Sequence, residues 1–170
     1  MHESAISPDR IKAYLQRFTE DQKNLALLYE RLDQLQSKAG VPKTSKLTGI
    51  PSSPNTAIDG VGAVVVQISA LADAVREAEQ QVRGKQKQVV RLIDLLRLNR
   101  CRQWLEKQLA LSMRYVDGAT VPDVAFTLFA DLEKYTDSPE TYIRRTYGII
   151  REALKDLSQL ATAEMIDDYD

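Results

Sequence analysis

The sequence contains little of the chemistry that enzymes and disulfide-bonded proteins use. Among its 170 residues there is one cysteine, Cys101, and one histidine, His2. A single cysteine excludes an intrachain disulfide and suits a reducing compartment. A single histidine at one end of the chain argues against a histidine-based catalytic triad or metal site. No glycine-rich nucleotide-binding motif occurs. We therefore expect no enzymatic activity, no cofactor and no metal.

A strong charge of one sign and long apolar runs are also absent. The formal net charge is −1, so no global basic field attracts the chain to nucleic acid. No run approaches the roughly 20 apolar residues that a membrane-spanning helix needs. The polar N-terminus lacks the apolar core of a signal peptide. These features predict a cytoplasmic protein with no membrane partner.

Two long segments carry apolar residues at the seven-residue spacing of a coiled coil. The first segment runs from Ser7, which is suited to cap a helix, to about Ala39. Its apolar series is Ile11, Phe18, Leu25 and Leu32. The second segment runs from about Ile58 to Asn99. Its coiled-coil or dimer positions are Val61, Ile68, Val75, Val82, Val89 and Leu96.

A stretch rich in proline, glycine and hydroxyl residues separates the two helical segments. It reads "GVPKTSKLTGIPSSPNT" and predicts a loop over residues 40–57. We interpret residues 1–100 as an antiparallel hairpin in which the two apolar seams meet. Because the second helix is longer than the first, a second chain or the C-terminal region has to cover the rest of its seam. A homo-oligomer is therefore an expected state.

Residues 101–160 predict three short helices, and residues 161–170 form an acidic tail. Asp117-Gly118 is a turn signal, with Gly118 able to close a helix in the left-handed conformation. Thr120 and Asp123 match a capping box, and Ser138 is placed to cap the last helix. The predicted fold class is all-α, with a long antiparallel coiled-coil hairpin followed by a small three-helix helix-turn-helix domain.

The last predicted helix has an apolar face and a polar face. The apolar face consists of Ile143, Tyr147, Ile150, Leu154 and Leu157. A recognition helix presents polar residues near its N-terminus to base edges, and arginine can hold guanine through two hydrogen bonds. The polar face supplies the candidate DNA-binding residues Thr141, Tyr142, Arg144, Arg145, Gly148 and Arg151.

Two stretches, "SMRYVDGATVPDVA" and "SPETYIRRTYGIIREAL", resemble a family of small phage and prophage proteins. That family pairs an N-terminal coiled coil with a C-terminal domain like region 4 of sigma-70-type RNA polymerase sigma factors, and it is similar to late-gene transcriptional regulators. The matching positions are Arg114-Tyr115, Asp117-Gly118, Thr120, Val124-Ala125, Ser138, Ile143-Arg144, Gly148 and Ala153-Leu154. The resemblance implies a transcriptional regulator that binds double-stranded DNA. Its coiled coil would dimerise the chain or contact RNA polymerase.

One spacing differs from that family. In the family, fewer residues separate the two helix caps than separate Thr120 from Ser138 in this sequence. One explanation is a first helix that is longer by about two turns. The other is an enlarged turn, after which the two helices no longer cross as in a DNA-binding motif.

The charge of the C-terminal part keeps a second function class open. From Met113 onward the chain has six Lys/Arg and twelve Asp/Glu. DNA affinity comes largely from phosphate neutralisation, which an acidic domain supplies poorly. The alternative is a non-enzymatic protein–protein adaptor. It includes a phage protein that binds a host factor and an assembly role similar to that of a small terminase subunit.

Overall fold

The computed structural model describes residues 6–40, 55–132 and 134–166. These residues form five α-helices and no strand, so the prediction of an all-α chain is confirmed. The helices are α1 (Pro8–Gly40), α2 (Asn55–Leu98), α3 (Trp104–Leu111), α4 (Val121–Phe129) and α5 (Pro139–Leu160). A π-helical turn (Ser112–Val116) extends α3, and a 3₁₀ turn (Ala163–Met165) follows α5.

Several predicted features fall outside the described residues. The loop predicted at residues 40–57 lies outside the described residues except at its two ends. There α1 reaches Gly40, and α2 already begins at Asn55. His2, the last four residues of the acidic tail and the side chains of residues 55–61 are also outside that part. Within the described ranges, no helix combines the length and the apolar character that crossing a bilayer requires.

The chain divides into two compact units, each of which contains parts of α1 and α2. The larger unit comprises Met1–Asp21 and Arg83–Asp170, and the smaller unit comprises Gln22–Val82. The division inferred from the sequence instead separated residues 1–100 from residues 101–160. The unit boundaries lie inside the long helices because the start of α1 and the end of α2 contribute to the core of the larger unit.

Residues from all five helices form the core of the larger unit. Phe18 of α1, Leu96 of α2 and Leu111 of α3 are each fully buried. The other fully buried large side chains are Ile11, Leu15, Val89, Leu92, Ile93, Val124, Thr146 and Leu157. The hydroxyl of Thr19 donates a hydrogen bond to the Tyr115 carbonyl at 3.1 Å, which ties α1 to the π-helical turn.

The heptad positions of α2 lie on a covered face of the helix. Four of them are buried, namely Val75, Val82, Val89 and Leu96. Ile68 is half-buried, and the side chain of Val61 is outside the described part. The seven-residue spacing therefore identifies the covered face of α2 in both units.

In the smaller unit the apolar side chains of α1 remain partly exposed. The half-buried residues are Leu25, Leu28, Leu32 and Leu35. Tyr29 of α1 donates a hydrogen bond to Glu79 of α2, so the two helices contact each other in this unit. A helical apolar stripe is wider than the contact with one neighbouring helix, so two helices cover it only in part.

The segment between α3 and α4 has the predicted turn and cap. Gly118 has a φ of +71°, which is the left-handed conformation. The Thr120 hydroxyl accepts a hydrogen bond from the Asp123 amide at 3.4 Å, and the Asp123 carboxylate accepts one from the Thr120 amide at 3.0 Å. The capping box is therefore confirmed. Hydrogen bonds from the Thr120 hydroxyl and amide lower the pKa of Asp123.

The connection between α4 and α5 is larger than that of a helix-turn-helix. Because α4 ends at Phe129 and α5 begins at Pro139, the enlarged turn explains the wide cap spacing. A helix-turn-helix typically uses about 3–4 residues here. The Leu132 amide donates to the Phe129 carbonyl at 3.0 Å, and the Tyr135 amide donates to the Leu132 carbonyl at 2.9 Å. Ser138 precedes α5 without the side-chain capping bond that the sequence predicts.

Candidate functional site

Helix α5 has one buried face and one open face. Its buried residues are Thr146, Ile149, Ile150, Ala153, Leu154, Leu157 and Ser158. The prediction that Tyr147 lies on the apolar face is wrong, because its side chain is 54 % exposed. Thr146 occupies the core instead. Its hydroxyl donates to the Tyr142 carbonyl at 2.9 Å, so burial leaves no unsatisfied donor.

Three cationic side chains occupy the open face of α5. Arg144, Arg151 and Lys155 are exposed, and they follow one another by about two turns and then one turn. We call these three residues the α5 basic ridge. None of them forms an ion pair or a side-chain hydrogen bond with another described residue. The sequence prediction omitted Lys155, although its position one turn after Arg151 places it on the same face.

Thr141 and Gly148 lie on the same side of α5 as the basic ridge. Thr141 is exposed and Gly148 is half-exposed. Apart from its chain neighbours and the adjacent helix backbone, a Cβ atom added at Gly148 would meet no atom within 4 Å. Glycine in a helix interior costs about 1 kcal/mol relative to alanine. Packing within the described part of the chain gives no reason for this glycine, which leaves the helix backbone open to close approach from outside.

Tyr142 and Arg145 contact an aromatic cluster at the α4–α5 connection. The ring centroid of Tyr142 lies 5.3 Å from that of Phe129 and 5.4 Å from that of Tyr135. Phe126 and Tyr135 are 5.9 Å apart. The guanidinium carbon of Arg145 lies 4.8 Å from the centre of the Phe129 ring. Sequence reasoning missed this cluster because its members come from α4, the connection and α5.

A buried lysine ties α5 to α3. Lys107 is 4 % exposed, and its ammonium nitrogen lies 2.7 Å from Asp156 Oδ2 and 3.5 Å from Glu152 Oε2. Burial lowers the pKa of Lys107. The hydrogen bond to Asp156 and the charges of Asp156 and Glu152 outweigh burial and raise it above its ordinary value. Lys107 therefore offsets one of the two negative charges that Asp156 and Glu152 place on this side of α5.

Acidic side chains lie around the start of α5. Asp131 and Asp137 in the connection and Glu140 in the first turn are all exposed. Their charges would repel phosphate groups that approach the first turn of the helix. The cations of the open face therefore lie in the middle and the C-terminal half of α5.

The connection between α2 and α3 holds the single cysteine. Cys101 is half-buried and free, and Arg100 (φ 49°) and Gln103 (φ 55°) near it have left-handed backbone conformations. Burial and the charge of Asp156 raise the pKa of the Cys101 thiol, which reduces its reactivity at neutral pH. Among the described side chains, no three His, Cys, Asp or Glu residues are grouped as a metal site would need.

The candidate site is the α5 basic ridge together with Thr141 and Gly148. Of the six residues predicted to bind DNA, four lie on this open face, while Tyr142 and Arg145 contact the aromatic cluster. The chemistry of the site suits an anionic partner, because its cations have no acidic partner among the residues that the structure describes. In comparisons with known proteins, no protein-family model, no curated protein and no solved structure matches this chain.

Proposed function

We propose that this chain is a phage or prophage transcriptional regulator that binds double-stranded DNA through the α5 basic ridge. The observation that carries the proposal is the set of exposed cations on one helix face, with no acidic partner among the described residues. Contacts of arginine and lysine with phosphate supply much of the affinity of proteins for DNA. In this proposal α3, α4 and α5 form a domain with the helix order of a helix-turn-helix. Because its α4–α5 connection is enlarged, DNA binding rests on the surface of α5 and not on a helix-turn-helix crossing of α4 and α5.

The charges around α5 determine which part of the helix approaches DNA. Asp137 and Glu140 keep phosphates away from the first turn, so the middle of α5 enters the major groove. Arg144 then reaches a base edge or a phosphate, and Arg151 and Lys155 hold the phosphate backbone. The open backbone at Gly148 allows a phosphate to come close to the helix.

Helices α1 and α2 form the coiled-coil hairpin of this regulator, which joins two copies of the chain or contacts RNA polymerase. The hydrogen bond from Tyr29 to Glu79 supports pairing of the two helices in the smaller unit. The half-buried leucines of α1 support a second copy, because another helix would cover them. Two copies would present two α5 helices to DNA, as dimeric helix-turn-helix proteins do at paired half-sites.

The proposal is tested by incubating the purified, tagged protein with sheared DNA from its own source at physiological salt and sequencing the recovered DNA. We expect one enriched short site. Replacing the three ridge residues with glutamine is expected to abolish this enrichment without loss of helical circular dichroism, since their side chains are exposed and have no partner in the described part of the chain. The substitutions are Arg144→Gln, Arg151→Gln and Lys155→Gln.

A matched control removes the same charge from a different surface. It uses three exposed cations of α1, which are Lys12→Gln, Lys23→Gln and Arg31→Gln. The control variant is expected to recover the same site as the unmodified protein. Loss of the site in both variants would mean that net charge, and not the ridge, determines binding.

Arg144 and Arg145 are expected to behave differently although they are neighbours in the sequence. Arg144→Ala should weaken binding to the enriched site by about 1–3 kcal/mol, the usual value for a lost base contact, and leave the melting temperature unchanged. Arg145→Ala removes the contact with the Phe129 ring and should cost about 0.5–1 kcal/mol of stability, with a smaller effect on binding. Anisotropy titrations and thermal melts measure both effects. Equal loss of DNA affinity in the two variants would contradict this assignment.

A protein–protein adaptor is the second candidate function. Leu105 and Leu109 lie one turn apart on α3 and are 62 % and 39 % exposed, which favours a protein partner for that helix. If a folded, helical sample recovers no DNA, the DNA-binding proposal fails and the adaptor function takes its place. Ring-like oligomers in light scattering would then favour the assembly role similar to that of a small terminase subunit.

A further inference from the structure

The end of α2 is strongly basic. Residues 83–102 contain seven Lys/Arg and one Asp/Glu, although the whole chain has a net charge of −1. Four of these cations are exposed and fall within about a third of the helix circumference. We call this set the α2 basic strip, and it consists of Arg83, Lys87, Arg91 and Arg97. The opposite side of the helix carries the buried residues Val89, Leu92 and Leu96.

The acidic residues nearest in sequence and space do not neutralise the strip. Asp94, the one acid in this stretch, is half-buried and accepts a hydrogen bond from the Gln108 side chain at 2.6 Å. Asp21 pairs with Lys85 at 2.8 Å, and Lys85 is not part of the strip. Within the described residues, no strip cation forms an ion pair or a side-chain hydrogen bond.

One further acid lies close to the strip. Glu164 of the 3₁₀ turn and Arg91 line the same shallow groove beside α2, but they form no ion pair. A solvated helix face usually mixes charges of both signs, whereas this side of α2 carries four exposed cations and one acid, the half-buried Asp94 between Arg91 and Arg97. The strip therefore presents a concentrated positive charge that suits a polyanion.

We infer that the α2 basic strip is a second surface for the nucleic-acid backbone, in addition to the α5 basic ridge. From Arg83 to Arg97 the strip is about 21 Å long. Double-stranded DNA carries about one negative charge per 1.7 Å of its axis, so phosphates are available to every cation of the strip. Arg100 and Arg102, also exposed, add positive charge beyond the end of the helix.

The chemistry of the strip favours DNA over a membrane surface. An interfacial helix places an apolar face in the lipid, whereas the apolar face of this part of α2 is buried in the core of the larger unit. Contacts between cations and phosphates are independent of sequence. This inference rests on the proposed DNA-binding function. The strip would contribute a part of the affinity for DNA that does not depend on the base sequence.

The test measures the salt dependence of binding to a labelled duplex of random sequence, about three helical turns long. Fluorescence anisotropy is recorded between about 50 and 200 mM salt. Each lost phosphate contact lowers the slope of log affinity against log salt by about 0.9, so removal of the strip should lower it by about 3 to 4. The strip variant carries Arg83→Gln, Lys87→Gln, Arg91→Gln and Arg97→Gln.

A control variant with the same change of net charge carries substitutions on exposed cations of α1. These are Lys12→Gln, Lys23→Gln, Arg31→Gln and Lys38→Gln. We expect the control to keep the slope of the unmodified protein, and the fluorescence of Trp104 to show that both variants are folded. An unchanged slope in the strip variant would overturn the inference. An equal fall in both variants would also overturn it, because net charge alone would then explain the effect.

The α5 basic ridge variant separates this inference from the proposed function. One outcome is that the ridge variant keeps its enriched site while the strip variant shows a smaller slope of log affinity against log salt. In that case α5 does not bind DNA as proposed, and the inferred contact of α2 with DNA stands. If the ridge variant loses its enriched site and the strip variant keeps the slope of the unmodified protein, DNA binding by α5 stands and the inferred contact of α2 with DNA fails. Failure of the unmodified protein to bind the random duplex, together with strip-dependent binding to vesicles of anionic lipid, would overturn the assignment to nucleic acid.

Discussion

Replacing Phe18 by alanine is expected to lower the free energy of unfolding by about 3–5 kcal/mol. Phe18 is fully buried in the larger unit, so the shorter side chain leaves a cavity there. The hydrogen bond from Thr19 to the Tyr115 carbonyl holds α1 in place and limits its movement into that cavity. Trp104 is the only tryptophan and lies in α3 of the same unit. The fluorescence of Trp104 in a urea titration should therefore show that the variant unfolds at a lower urea concentration than the unmodified protein.

A substitution on the exposed side of the same helix gives the control. Leu27 is 60 % exposed in the smaller unit, so Leu27→Ala should change stability by less than about 0.5 kcal/mol. The Trp104 transition should stay where it is in that variant. If Phe18→Ala also left the Trp104 transition unchanged, the start of α1 would not share a core with α3. The division of the chain at residue 100 would then be the better description.

Replacing Asp156 by alanine is expected to cost about 3 kcal/mol, because it leaves a buried ammonium group without its nearest partner. Lys107 has a side chain that is 6 % exposed, and Glu152, its other partner, is farther away at 3.5 Å and 65 % exposed. Lys107→Met should change stability by only about 1 kcal/mol or less, because a buried charge is replaced by an apolar chain of similar length. The two acids that remain are close to solvent. Chemical denaturation followed by Trp104 fluorescence measures both variants.

The double variant tests whether the cost comes from the unpaired lysine. Adding Lys107→Met to Asp156→Ala should recover most of the lost stability, because no buried charge then remains. Additive costs of the two substitutions would contradict this explanation. They would indicate that Asp156 stabilises the fold through some contact other than the one with Lys107.

The contribution of Lys107 to stability should also depend on pH in one direction. The pKa of Lys107 is raised above its ordinary value, so the folded protein holds this proton more tightly than the unfolded chain. The charged Lys107 stabilises the fold fully below the pKa of lysine in the unfolded chain, about 10.4. This stabilisation decreases as the pH rises through the higher pKa of Lys107 in the folded protein. The stability of the unmodified protein relative to Lys107→Met should therefore stay constant from neutral pH to about pH 10 and fall above it. A fall that began below pH 9 would contradict the raised pKa of Lys107.

Features that depend on residues close in sequence could be predicted from this chain. The seven-residue spacing identifies the covered face of α2, and the Thr120 capping box and the left-handed Gly118 are both observed. These features need only the preferences of a few neighbouring residues. The helix boundaries are likewise set by local signals and agree with the prediction to within a few residues.

Features that depend on distant residues could not be predicted. Phe18 and Leu25 occupy equivalent heptad positions, yet Phe18 is fully buried and Leu25 is half-buried. Periodicity indicates which face is covered, but not by how many neighbours. The candidate site shows the same difference. Arg145 lies over Phe129 of another helix, while the side chain of Arg144 has no partner among the described residues. The α2 basic strip was visible in the composition of residues 83–102 but is hidden in a net charge of −1.

The larger unit combines residues 1–21 with residues 83–170, which has a consequence during protein synthesis. Its first part, Met1–Asp21, leaves the ribosome early, but its core is complete only when Ile166, which is 5 % exposed, has been made. The smaller unit is continuous and can fold while translation proceeds. Contacts between the two ends of a chain form late, because a long loop must close first. The apolar start of α1 therefore lacks its full core in the nascent chain until residues 83–166 have been made.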